Sequence, residues 1–155
     1  MTAQPQPTNL LAMLTDIGII DQLLSAAATR VLAPELGLSE YGVLNHFVRR
    51  GDGETPSRLA RAFQMTKPSM TAILAKLVAK GLVTLTAHED DARSKRAAIT
   101  DRGRSVHADA ARRMAALAPE LFDGFDVAAL LEQAPLIASL RAHLDAQRNA
   151  RDGLA

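Results

Sequence analysis

From Leu10 to Leu32 the apolar side chains Leu10, Leu11, Met13, Leu14, Ile17, Ile20, Leu23, Leu24, Ala27, Val31 and Leu32 recur at helical spacing. Ile19 and Ala28 widen that stripe beyond one face, so this helix has more than one side to bury. Pro34 ends it, and Ser39 stands as the N-cap of a helix carrying Val43, Leu44, Phe47 and Val48, which stops at Gly51. Gly51-Asp52-Gly53-Glu54 reads as a turn. Thr55 then caps a short helix with Pro56 at its first position, where a missing N–H costs nothing, and Leu59, Ala60 and Phe63 inside. Only Gln64 and Met65 separate it from the next cap, Thr66. Beyond that cap Met70, Ile73, Leu74, Leu77 and Val78 match one helical stripe, with the first four committed to a core, and Gly81 closes the helix. Two capped helices joined by a tight turn are a helix-turn-helix candidate.

After Gly81 the period shortens. Leu82 to Thr86 alternates and is β-prone, His88 to Lys95 is a charged tip, and Arg96 to Thr100 returns as a second strand, giving a hairpin with a polar end. Thr100 or Asp101 caps a helix marked by Val106, Ala110, Met114 and Leu117, which Pro119 to Gly124 breaks. From Asp126 to about Arg148 the residues Val127, Leu130, Leu131, Leu136, Ile137, Leu140 and Leu144 form a last helical stripe, with Pro135 either kinking it or starting a new helix. The expected fold is mainly α with a small β-hairpin wing.

Composition narrows the function classes. The chain has 155 residues, 48% hydrophobic and 23% charged, as in one soluble globular domain. Residues 1–8, rich in Pro, Gln and Thr, read as a disordered lead, and 9–155 as the domain. Asp16 and Gly18 interrupt the apolar stretch and no basic residue precedes it, so neither a membrane span nor a signal peptide is expected, and a cytoplasmic location is. The absence of cysteine removes disulfides, thiolate nucleophiles and zinc-thiolate sites. His46, His88, His107 and His143 include no pair at helical ligand spacing, so they read as ordinary, partly exposed histidines and no metal is expected. With no glycine-rich phosphate loop, nucleophile elbow or positioned base, neither enzymatic activity nor a cofactor is expected.

The net charge of +1 conceals an uneven distribution. Residues 58–104 carry ten basic side chains against four acidic ones, while both flanking ends are acidic. A basic middle that coincides with the helix-turn-helix and its hairpin points to a polyanion, double-stranded DNA above all.

Several stretches resemble the multiple-antibiotic-resistance regulator (MarR) family. They are Leu38-Ser39-x-x-x-Val43-Leu44, Leu59-Ala60, Thr66-Lys67-x-Ser69-Met70-Thr71, Leu77-Val78-x-Lys80-Gly81-Leu82-Val83, and Asp91-Ala92-Arg93-Ser94-Lys95-Arg96 followed by Ile99-Thr100-x-x-Gly103. The wing pattern is the most specific of these. The resemblance implies a winged helix-turn-helix lobe over 38–103, with N- and C-terminal dimerisation helices over 9–33 and 104–150. It further implies a homodimeric, ligand-tuned repressor of a pseudo-palindromic operator, with a small aromatic or anionic effector between the dimerisation helices and the DNA-binding lobe.

The DNA-contact candidates follow from both lines. Thr66, Lys67, Pro68, Ser69 and Thr71 sit on the N-terminal turn of the recognition-like helix, where free N–H groups and the positive dipole end favour phosphate, and Lys76 lies on its groove face. Arg93 on the wing resembles the family's minor-groove probe, Asp91 orients it or braces the wing, and Lys95 and Arg96 reach phosphates. Many relatives carry a basic or amide residue where this chain has Ala72, and an arginine near Thr84-Leu85, so base readout through residue 72 is not expected. The tip also carries His88-Glu89-Asp90-Asp91, so either some of that acidity points away from phosphate or the affinity is modest. The first helix, apolar on more than one side, favours a two-fold dimer with recognition helices about one DNA turn, roughly 34–36 Å, apart. The rival reading is a helical protein-interaction module with weak or lost DNA binding, which the short apolar groove face would suit.

Overall fold

The computed structural model describes residues 7–88 and 91–151, with the side chains of 7, 8, 88 and 91–94 left out. The chain divides into two compact units, residues 1–116 and 117–155. The first holds α1 (Pro7–Leu32), α2 (Leu38–Arg50), α3 (Pro56–Ala62), α4 (Lys67–Ala79), β1 (Val83–His88), β2 (Asp91–Ile99) and α5 (Asp101–Ala115). Its core is one cluster in which Leu32, Val43, Leu44, Leu59, Met70, Leu77 and Ala97 are fully buried. Ile73 is only partly buried and Val78 is exposed, so the inner stripe of α4 is narrower than the sequence pattern suggests.

Helix α1 already includes Pro7 and Thr8, because proline fits a first helical turn, so the expected lead does not reach them; the rest of that lead, residues 1–6, lies outside the described residues. By length and composition α1 could cross a membrane, so Asp16 and Gly18 do not by themselves exclude a span. Its last turns belong to the lobe instead, with Ala27, Ala28 and Leu32 buried.

The N-cap of α2 is Gly37, not Ser39. Glu40, three residues on, accepts the Gly37 N–H at 2.7 Å, which is the reciprocal half of a capping box; glycine has no side chain to make the other half. Thr55 and Thr66 cap α3 and α4, each hydroxyl oxygen accepting an N–H from three residues ahead, Arg58 and Ser69. The turn between these helices needs a left-handed residue, and Gln64 takes it at φ 54°. At the far end of α4, Gly81 at φ 69° lets its own N–H reach the Val78 carbonyl and the Leu82 N–H reach that of Leu77. Such a paired closure stops a helix sharply and launches the next segment.

That segment is the wing. β1 and β2 pair antiparallel from Val83–Ile99 to Ala87–Lys95, and the register resumes at His88–Asp91 after a bulge. β2 therefore starts at Asp91 and absorbs most of the expected tip. Gly51 to Glu54 is more than a turn, since Glu54 forms a one-residue bridge with Ala97 on the open edge of β2. The Thr100 hydroxyl joins wing to α5, accepting the Gly103 N–H at 3.0 Å and donating to the Gly81 carbonyl at 2.8 Å.

The second unit holds α6 (Ala118–Leu121), α7 (Val127–Glu132) and α8 (Ala134–Arg151). Pro119 falls inside the short α6 instead of breaking the helix there, and Pro135 sits at the start of α8, so it begins a new helix. Asp126 caps α7 through the Ala129 N–H at 3.0 Å. Leu131, Leu136, Ile137 and Leu144 all lie exposed along α7 and α8.

Candidate nucleic-acid interface

The apolar side of α4 is spent on the core, Met70, Leu74 and Leu77 being at most 1% exposed. The opposite side is open. Thr66, Lys67, Pro68, Ser69, Thr71, Ala72, Ala75 and Lys76 are all exposed. Part of the hydroxyl capacity of the first turn holds the turn itself, since Thr66 Oγ1 lies 2.8 Å from Ser69 Oγ and the Thr71 hydroxyl donates to the Lys67 carbonyl at 2.9 Å. Each hydroxyl oxygen keeps lone-pair capacity, and the Lys67 ammonium has no ion-pair partner among the described residues. A phosphate approaching this turn meets a cation and the positive end of a helix together.

Lys76 sits farther along α4, where it lines a cavity of about 440 Å³ with Leu38, Glu40, Ile73 and Lys80 beside the start of α2. On the wing Lys95 is exposed opposite Ala87, whereas the Arg96 guanidinium donates to the Gly53 carbonyl at 3.4 Å and thereby braces β2 against the Glu54 bridge. The backbones of Asp91 and Arg93 lie in β2, in a strand and not in a loop, and their side chains lie outside the described residues.

Three braces were not foreseen. Asp52 accepts the Ile99 N–H at 3.0 Å with one oxygen and the Arg104 guanidinium at 2.8 Å with the other, fixing the wing base to α5. Glu54 meets the His46 ring nitrogen at 2.8 Å, and that ring leans on Phe63. Glu40 takes the Lys80 ammonium at 2.7 Å across 40 positions of sequence. Burial opposes ionisation of Glu40, but the Gly37 N–H and the Lys80 and Lys76 charges outweigh it and hold its carboxyl below the usual range. The Asp-Gly-Glu stretch signalled a polar turn, with nothing in it to name distant partners.

His107 corrects an expectation. It is 9% exposed, stacked on Tyr41 with ring centroids 5.2 Å apart, and its Nε2 lies 3.2 Å from Asn45 Oδ1. Burial pushes its pKa below the ordinary histidine value, so it joins α5 to α2 as a neutral ring. Among the described residues no group of three His, Cys, Asp or Glu side chains gathers to hold a metal.

A MarR-family model, MarR_2, matches residues 35–94, from the segment before α2 to the wing. No curated protein sequence matches the chain significantly. Among solved structures, the transcriptional regulator BldR from Sulfolobus solfataricus is similar at 25% identity and TM-score 0.72, with 88% of this chain and 99% of that one covered. The organohalide-sensing regulator RdhR in its 2,4-dichlorophenol-bound form is similar at 19% identity and TM-score 0.71, covering 94% and 89%. CouR from Rhodococcus jostii RHA1, bound to p-coumaroyl-CoA, is similar at 22% identity and TM-score 0.66, covering 80% and 87%.

Proposed function

We propose that the chain is a regulator of the MarR family, whose model matches residues 35–94, and that it is a homodimeric, ligand-responsive repressor that binds a pseudo-palindromic operator in the cytoplasm and catalyses no reaction. The observation that carries this reading is the two-sidedness of α4, whose apolar stripe is locked in the core while its polar first turn and the exposed Lys95 of the wing stand open, in a segment of ten basic and four acidic residues. In this reading α4 enters the major groove. Thr66, Lys67, Pro68, Ser69 and Thr71 meet the groove wall, and Lys76, Lys95 and Arg96 serve phosphates. Arg93 enters the adjacent minor groove with Asp91 orienting it.

The dimer rests on surface that a lone chain leaves wet. Leu11 and Leu23 on α1 are 67% and 66% exposed, and Leu136 on α8 is 68% exposed. Monomeric proteins rarely leave so many large aliphatic side chains in water, and a second copy covers them by an isologous interface. Ligand-bound relatives support an effector, small and aromatic or anionic in chemistry. Sequencing the genomic fragments that the full chain retains tests the proposal. It predicts inverted repeats with half-site centres about 10–10.5 base pairs apart. Fragments without two-fold symmetry would contradict it.

A further inference from the structure

The C-terminal end of α4 hangs on one side chain. Lys80, its C-cap residue, donates from Nζ to the Glu35 carbonyl at 2.9 Å and to Glu40 Oε2 at 2.7 Å, and that same oxygen accepts the Gly37 N–H at the start of α2. A cavity of about 550 Å³ opens beside this ammonium, within the size range of small-molecule sites. Pro34, Leu82 and Val106 supply an aliphatic wall, and Lys80, Arg102 and Ser105 supply donors.

Charge decides what fits. The two carboxylates at the cavity, Glu35 and Asp109, are already engaged, Glu35 by Arg113 at 2.8 Å and Asp109 by Arg112 at 2.7 Å and Arg113 at 3.3 Å. Lys80 is neutralised by Glu40. Arg102 alone in this group has no ion pair among the described residues. With these partners paired off, the Arg102 charge is left over, and it borders an aliphatic wall with no aromatic ring in it.

Building on the reading of the chain as a ligand-responsive regulator, we propose that this cavity is an effector site for small aliphatic monocarboxylates, whose head group binds Arg102 and draws Lys80 away from Glu40. Glu40 is 6% exposed, and without Lys80 it becomes a buried charge held only by the Gly37 N–H and the Lys76 charge. That cost couples occupancy to the seat of α4 on α2, and so to the recognition face.

The test titrates full-length protein with hexanoate by calorimetry, with hexanamide as the uncharged isostere, and follows a labelled mixed-sequence duplex by anisotropy at low salt. One hexanoate binds per chain, hexanamide binds at least about tenfold more weakly, and hexanoate lowers duplex affinity. Arg102→Gln loses about tenfold in hexanoate affinity while keeping its melting temperature and duplex affinity. Lys80→Met binds duplex more weakly from the start and no longer responds to hexanoate. Absence of binding at about 10 mM hexanoate, equal binding by Arg102→Gln, or bound hexanoate that leaves duplex affinity unmoved overturns the proposal. Arg102-dependent hexanoate binding by a chain that ignores duplex supports the anion site and refutes the DNA-binding reading instead.

Discussion

Gly103 is the position where one added methyl group should do the most harm. A Cβ built there overlaps the Leu82 carbonyl oxygen and lies 2.7 Å from Ile99 Cγ1, and the first of these is rigid backbone that cannot rotate away. The Leu82 carbonyl also accepts the Thr100 N–H at 3.0 Å, while Thr100 caps α5 and donates to Gly81. Relieving the overlap therefore moves the stop of α4, the root of β1 and the cap of α5 together. Overpacking of this kind costs about 1–3 kcal/mol, and a weakened backbone bond and cap about 1 kcal/mol each. Alanine recovers about 1 kcal/mol through its better helix propensity. Gly103→Ala should thus destabilise the chain by about 3 kcal/mol, and at 155 residues that lowers the melting temperature by roughly 6–12 °C. Circular dichroism at the helical band reads the transition. If the variant melts at or above the native temperature, helix propensity has won, and the tight joint between wing and α5 is not the reason glycine stands there.

Arg93→Ala should weaken duplex binding by about 1–3 kcal/mol and leave melting unchanged, as anisotropy and calorimetry on one preparation will report; unfolding of the variant would make Arg93 structural instead. Leu23→Glu places a carboxylate at a position 66% exposed in the single chain, so it should give folded monomers by sedimentation, with a lower salt slope for duplex binding; a persistent dimer would put the interface elsewhere. For His107 the folded pKa is depressed, so its contribution is present above the unfolded value of about 6.5 and is lost as pH falls through the folded value. Urea midpoints should fall in that window for the native chain and fall less for His107→Gln; equal slopes would remove His107 from the acid response.

The local part of the fold was legible because its signals are local. Thr55, Thr66 and Thr100 bond an N–H three residues ahead, and the Gly81 closure involves six consecutive residues, so the pattern carries the whole device. Ser39 misled because residue type was weighed without its partner. Glu40 lies three residues after Gly37, and a carboxylate at that spacing marks the cap at 37. The wing's third element is a single bridge from Glu54 to Ala97, too short for any alternation to reveal. Asp52 with Arg104, Glu40 with Lys80 and Asn45 with His107 are joined across 40 to 62 positions, where composition says only that the residues are polar. In the site, the first turn of α4 was readable from its cap and stripe. The cavity that Lys76 lines beside α2, and the capture of Arg96 by Gly53, depend on packing.

If α4 and the wing neutralise duplex phosphates in a dimer, affinity for DNA must fall steeply with salt. The affinity of full-length protein for a mixed-sequence duplex, measured as sodium chloride rises, tests it most directly. Each neutralised phosphate contributes about −0.9 to the slope of log affinity against log salt, so a dimer engaging several phosphates per lobe gives a straight line with a slope of about −5 or steeper. Replacing Lys67 by alanine should make that slope shallower by about 1–2, one contact from each lobe. Affinity that does not change with salt, or a slope that Lys67→Ala leaves untouched, would contradict the account.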